Sequence, residues 1–171
     1  MNRSCRSHTV SFIVVTAPNS SVCSIYQKQL SYMLKELPTL RSLRECRALC
    51  VSDPLGTRIG SGGGTLNAIN HLINKFGKAA VMSAKIIVIH SGGDSRRSPL
   101  NSVSGKAWSS INSSCAISNM EGSPIVLLIR ELVPILDRIQ VGTVVVASTD
   151  VLVNLTPTQV VFPFYSSVAL L

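Results

Sequence analysis

A chain of 171 residues, 46% of them hydrophobic, is long enough for one domain with a sizeable core, which excludes a disordered or fibrous protein. Sixteen Lys and Arg against eight Asp and Glu give a net charge of +8, which favours polyanionic partners. Only 5% of residues are aromatic and no stripe of Phe or Tyr is present for base stacking, so nucleic acid is not the expected polyanion.

The N-terminal MNRSCRSH is rich in Arg and Ser, and the first acidic residue is Glu36, as in a transit peptide. Residues 1–9 are expected to be a disordered tail, and residues 10–155 to form the folded domain. Val10 to Thr16 is rich in β-branched residues and ends at Pro18-Asn19, so it reads as a strand. Ser20 or Ser21 can cap the helix that follows, where Val22, Ile25, Tyr26, Leu30, Met33, Leu34 and Leu37 recur at helical spacing until Pro38. Cys46 to Ser52 is a second strand. It opens into a long glycine-rich turn, Asp53 to Gly64, before a helix over Thr65 to Phe76 that Gly77 stops. Ala84 to His90 is a third strand. Ser123 and Pro124 start a helix that runs to Ile139, with Pro134 able to kink it. Gly142 to Ser148 is a fourth strand, ending at Thr149-Asp150. Residues 156–171 show no clear pattern and are expected to be a truncated or irregular tail.

The alternation of strands and helices, with later strands as near-continuous apolar runs, argues for a Rossmann-like open, mostly parallel α/β sheet. Ligands of such sheets bind beyond the carboxyl ends of the strands. Both glycine-rich stretches and Asp150 fall there. No apolar run reaches about 18 residues, so no membrane partner is expected. The cysteines are Cys5, Cys23, Cys46, Cys50 and Cys115. They form no C-x-x-C pair, which speaks against a zinc site or disulfide framework and for reduced thiols in a cytoplasmic protein.

After the third strand comes HSGGDSRRSPLNSVSGKAW, from His90 to Trp108. Gly92 and Gly93 let a backbone approach a ligand and present N–H groups. Arg96 and Arg97 offer forked donors to phosphate oxygens, and Lys106, after Gly105, adds a point charge. Together they suit a triphosphate. The P-loop pattern does not fit, because Ala107 stands where Ser or Thr is needed and Leu100 where the leading glycine is needed. The run Gly60-Ser61-Gly62-Gly63-Gly64-Thr65 is an imperfect dinucleotide fingerprint, since Thr65 replaces its last glycine.

Four stretches, FIVVTAP, DPLGTRIGSGGGTLNAI, HSGGDSRRSP with SGKAW, and VVVASTDVLV, occur in an order that resembles the GDP-L-fucose pyrophosphorylase (L-fucose-1-phosphate guanylyltransferase) family. The similarity is to the pyrophosphorylase half of the bifunctional L-fucokinase/GDP-L-fucose pyrophosphorylase enzymes. It implies a nucleotidyltransferase fold and the joining of GTP and L-fucose 1-phosphate into GDP-L-fucose with release of pyrophosphate. It also implies roles. Gly92, Gly93, Ser95 and Arg97 would wrap the GTP phosphates, with Arg96 beside them. Lys106 would stabilise the leaving pyrophosphate or the α-phosphate. Gly60 to Thr65, including Gly62, Gly63 and Gly64, would line the nucleotide pocket, and Asp150 would hold Mg²⁺. The partners implied are GTP and a sugar 1-phosphate, in an oligomeric state the residues do not reveal. Two departures sit inside the match: Ser98 replaces an apolar residue before the proline, and the polar stretch from Trp108 to Gly122 replaces a short apolar one. The family's region is longer than this chain, so the sheet is expected to be incomplete at its C-terminus and to expose an apolar edge. Two other readings remain beside a catalytic guanylyltransferase: a truncated relative that binds nucleotide without turning it over, and an unrelated Rossmann-like oxidoreductase.

Overall fold

In the computed structural model, residues 12–43, 45–91, 105–109, 121–136, 138–151 and 168–170 are described. Five strands form one all-parallel sheet: β1 (Phe12–Ala17), β2 (Arg47–Ser52), β3 (Ile86–His90), β4 (Val144–Ser148) and β5 (Val168–Leu170), in the order β2-β1-β3-β4-β5. The helices are α1 (Ser20–Glu36), α2 (Gly60–Phe76), α3 (Lys78–Met82) and α4 (Pro124–Leu136), with single 3₁₀ segments at Pro38–Leu43, Pro54–Gly56 and Lys106–Trp108. This is the Rossmann-like open sheet that the apolar strand runs imply.

Alternation along each strand splits the core into two layers, because successive side chains point to opposite faces. Ile13, Val15, Cys50, Ile87, Ile89, Val145 and Ala147 pack on one face against α1 and α4. Phe12, Val14, Leu49, Val51, Ile86 and Val88 pack on the other against α2 and α3. The chain is thus a three-layer α/β/α sandwich. β1 and β2 are neighbours whose following helices go to opposite faces, and this opens a crevice beyond their carboxyl ends.

Several local expectations are corrected. Asn19, not a serine, caps α1: its side-chain oxygen accepts from the Val22 N–H at 2.9 Å. Ile25 is 52% exposed, so the buried stripe of α1 runs through Tyr26, Leu30, Met33 and Leu34 without it. The largest difference is at the glycine run. Gly60 to Gly64 are not a turn before the helix but the first turn of α2 itself. Glycine is a poor helix former, yet close packing outweighs that preference here, since a Cβ on Gly64 would lie only 3.2 Å from the His90 ring. Strands begin one or two residues later than the apolar runs, at Arg47, Ile86 and Val144, and α4 ends at Leu136 with Pro134 inside it. In the stretch that shows no pattern, Val168–Leu170 pairs with β4 as the fifth strand. The expected tail at residues 1–9 lies outside the described residues.

The outer edge of β2 is closed by a side chain. Gln27 on α1 accepts from the Cys50 N–H at 2.8 Å and donates to the Ala48 carbonyl at 3.2 Å. One amide thereby meets the same pair of backbone groups that a neighbouring parallel strand would take, which blunts the edge. Lys85 is buried, and its ammonium donates to the Leu136 carbonyl at 2.7 Å, satisfying the C-terminal end of α4. Cys23, Cys46 and Cys50 are free thiols, and burial pushes Cys46 up to about 12 and raises Cys50 as well. Both are protonated and unreactive near neutral pH. No helix among the described residues is long and apolar enough to cross a membrane.

Candidate functional site

The crevice encloses about 280 Å³. The ends of all four longer strands reach it: Thr16 and Ala17 from β1, Asp53 after β2, His90 and Ser91 from β3, Ser148 and Asp150 from β4. Pro18, Arg58, Gly60, Ser61 and Gly64 complete its wall. Two backbone bonds and one side-chain bond hold these ends together. The Asp53 N–H donates to the Ala17 carbonyl at 2.9 Å, the Thr149 N–H to the His90 carbonyl at 3.0 Å, and Asn67 on α2 donates to the Ser52 carbonyl at 3.0 Å.

Register places Thr16 opposite His90, and His90 opposite Ser148, on adjacent strands. The His90 ring is the hub of this row. Its Nε2 lies 2.9 Å from the Thr65 hydroxyl and its Nδ1 lies 3.2 Å from the Thr16 hydroxyl. Thr65 spends its only proton on the Ser61 carbonyl at 3.0 Å, so it accepts from His90. That assigns the proton to Nε2 and leaves Nδ1 to accept from Thr16. Burial lowers the His90 pKa from its ordinary 6.5, with the Asp53 carboxylate opposing, so the ring is a neutral connector. It ties β1 and β3 to the first turn of α2.

That first turn carries no acidic residue and no side-chain cap. The N–H groups at the start of α2 and the positive end of the helix dipole therefore border the crevice at Gly60 and Ser61, with Arg58 in the same wall. An anion is the ligand such a wall suits. Gly62 and Gly63 belong to the same turn but not to the crevice wall, and Thr65 acts through His90.

The structure also brings together two residues that the sequence separates widely. The Lys106 ammonium lies 3.6 Å from the Asp150 carboxylate, with the side chains 40% and 43% exposed. A pair this exposed contributes little to stability, ~0–1 kcal/mol, and each member is free to exchange its partner for a ligand group. Asp150 is set by a turn in which its N–H donates to Ser148 Oγ at 3.3 Å. Lys106 follows Gly105, whose φ of +74° is the left-handed conformation that suits glycine. Trp108 is 7% exposed and packs in the core, as expected of a structural residue. Gly92, Gly93, Ser95, Arg96 and Arg97 lie outside the described residues.

For Mg²⁺, the described residues contain no group of three or more His, Cys, Asp or Glu able to hold a metal. Mg²⁺ needs no such cage, because it is commonly held by one or two carboxylates together with substrate phosphates and water. Asp150, with Asp53 in the same wall, fits that limited role.

Sequence reasoning reaches Lys106, Asp150 and the glycine run. It does not reach Thr16, Arg58 or Ser148, and it names His90 only as the end of the third strand. The signal was present, since alternation along β1, β3 and β4 puts Thr16, His90 and Ser148 on one face at the strand ends.

Fold and crevice define an open, all-parallel α/β protein with a polar crevice at its strand carboxyl ends, bordered by the start of α2. The sequence profile of the fucose pyrophosphorylase domain matches residues 78–170, more than half of the chain, and the chain belongs to that family. Among relatives, the fucose-1-phosphate guanylyltransferase of Mus musculus is 36% identical over 101 residues, 58% of this chain and 16% of the relative. The L-fucokinase/L-fucose-1-P guanylyltransferase of Bacteroides fragilis is 33% identical over 81 residues, 44% of this chain and 8% of the relative. The chain thus spans a minor part of the length of both. No solved structure matches it.

Proposed function

We propose that this chain carries the nucleotide-phosphate site of a fucose-1-phosphate guanylyltransferase, which joins GTP and L-fucose 1-phosphate into GDP-L-fucose and pyrophosphate. The observation that carries this reading is the meeting of Lys106 and Asp150 beside a crevice walled by the uncapped first turn of α2. Family membership supports the choice of sugar and base.

In this reaction a phosphate oxygen of the sugar attacks the α-phosphorus, and the bond from that phosphorus to the bridging oxygen breaks to release pyrophosphate. No covalent intermediate on the protein is needed, so the work falls to positioning and charge. The first turn of α2 and Arg58 hold phosphate oxygens. Lys106 faces the charge that develops at the transferring phosphate or on the leaving pyrophosphate. Asp150 would share Mg²⁺ with the phosphates, and the ion's chemistry there is to neutralise their charge. Gly92, Gly93, Ser95, Arg96 and Arg97 are proposed to contribute to phosphate binding.

The test is release of pyrophosphate from GTP, with L-fucose 1-phosphate present or absent, by the chain and by its Lys106→Ala variant. Sugar-dependent release that falls at least tenfold in the variant supports the guanylyltransferase. GTP binding without release would assign the chain to nucleotide binding alone.

A further inference from the structure

Tyr26 lies on α1, away from the crevice wall, yet it touches both flanks of residues 92–104. Its hydroxyl faces the Ser91 side chain, directly after β3. The same hydroxyl sits where a Cβ on Gly105 would be, so Gly105 and Tyr26 are in direct contact. Its ring packs on Trp108, with centroids 5.7 Å apart and planes tilted by 51°. Tyr26 is 6% exposed, Ser91 5% and Trp108 7%.

The surroundings explain why one side chain is enough. Gly105 to Ser109 is a single turn closed by its own bonds, the Trp108 N–H to the Gly105 carbonyl at 3.2 Å and Ser109 Oγ to the Lys106 carbonyl at 3.0 Å. The indole Nε1 of Trp108 is buried and has no hydrogen-bond partner among the described residues, so packing holds that ring. The Tyr26 hydroxyl is then wedged between this turn and the end of β3. Fixing the turn against β3 fixes Lys106, and β3 is the strand that pairs with β4, which ends next to Asp150.

We propose that Tyr26 is a positioning residue, which clamps Ser91 to the Gly105–Trp108 turn and so sets Lys106 opposite Asp150. The proposal rests on the reading of Lys106 and Asp150 as the phosphate site, and it extends that site to α1.

Trp108 is the only tryptophan, so its emission reports on the turn directly. The test compares the full chain with Tyr26→Phe, which keeps the ring and removes the hydroxyl. Acrylamide quenching of Trp108 is measured without ligand, and GTP affinity is measured for the wild type, Tyr26→Phe, Lys106→Ala and the double variant. Tyr26→Phe should raise the quenching constant about twofold or more. It should also weaken GTP binding roughly fivefold, as loosening of one buried polar contact would, and add nothing in the Lys106→Ala background. Unchanged quenching overturns the clamp whatever the nucleotide does. An equal loss of affinity in both backgrounds overturns the route through Lys106 and leaves Tyr26 a structural residue. Raised quenching in a chain whose wild type binds no GTP keeps the clamp and overturns the reading of the site instead.

Discussion

Acidification should loosen the hub of the crevice in a measurable way. His90 is held neutral, accepting from Thr16 and donating to Thr65, and burial keeps its pKa below the ordinary 6.5. The unfolded chain titrates near the ordinary value. Above it, the ring is neutral in both states and pH has no effect through this group. As pH falls through 6.5, the unfolded chain binds the proton first and stability drops, until the folded-state pKa is reached and the loss levels off. The slope in that window is at most about 1.4 kcal/mol per pH unit. For a chain of this size that is roughly 3–5 °C of melting temperature per unit. The assay is a series of thermal melts between pH 7.5 and 5 on the wild type and on His90→Gln, which keeps a donor and an acceptor but cannot titrate. The difference between the two profiles isolates His90 from every other group. It should be flat above 6.5 and slope below it, with the wild type losing more. Parallel profiles across the whole range would refute the neutral-connector account.

Gln27→Ala leaves the Cys50 N–H and the Ala48 carbonyl without their partner and should cost about 1–3 kcal/mol, read by urea unfolding; a change under about 0.5 kcal/mol would mean the edge needs no plug. Gly105→Ala forces a left-handed alanine against the Tyr26 hydroxyl and should destabilise by roughly 2 kcal/mol or more, with a shift in Trp108 emission. Asp150→Asn breaks an exposed ion pair and should move the melting temperature by no more than about 3 °C, because such pairs contribute ~0–1 kcal/mol. Its effect belongs in the Mg²⁺ dependence of nucleotide binding, which should weaken.

The layers of the fold were legible because the strands are runs of Val and Ile and the helices show a clear apolar stripe. Tyr26, Leu30, Met33 and Leu34 are read correctly from spacing alone. The glycine run was not, because propensity argues against a helix at Gly60–Gly64, and the reasons for glycine lie in three dimensions: a φ of +69° at Gly60, Ile59 crowding Gly63 and the His90 ring close to Gly64. β5 was missed for a related reason. Three residues of strand carry no periodicity, and pairing with β4 defines them. At the site, charged and glycine residues announce themselves in the sequence, so Lys106 and Asp150 were found. Their meeting was inferred only from both lying after strand ends. Neutral connectors such as Thr16, Thr65 and Gln27 have ordinary identities, and their roles come from a partner far away in sequence.

The central claim is that the crevice beyond the strand ends is a phosphate cradle in which Lys106 is a direct contact. The most direct test is a titration of the full chain with GTP and Mg²⁺, followed through Trp108 emission, beside Lys106→Ala. The account predicts saturable binding, a melting temperature that rises with GTP, and an affinity about 10- to 100-fold weaker in the variant, as expected for a lost charge-assisted contact. Equal affinity in the two proteins, or no saturable binding by the wild type, would contradict it.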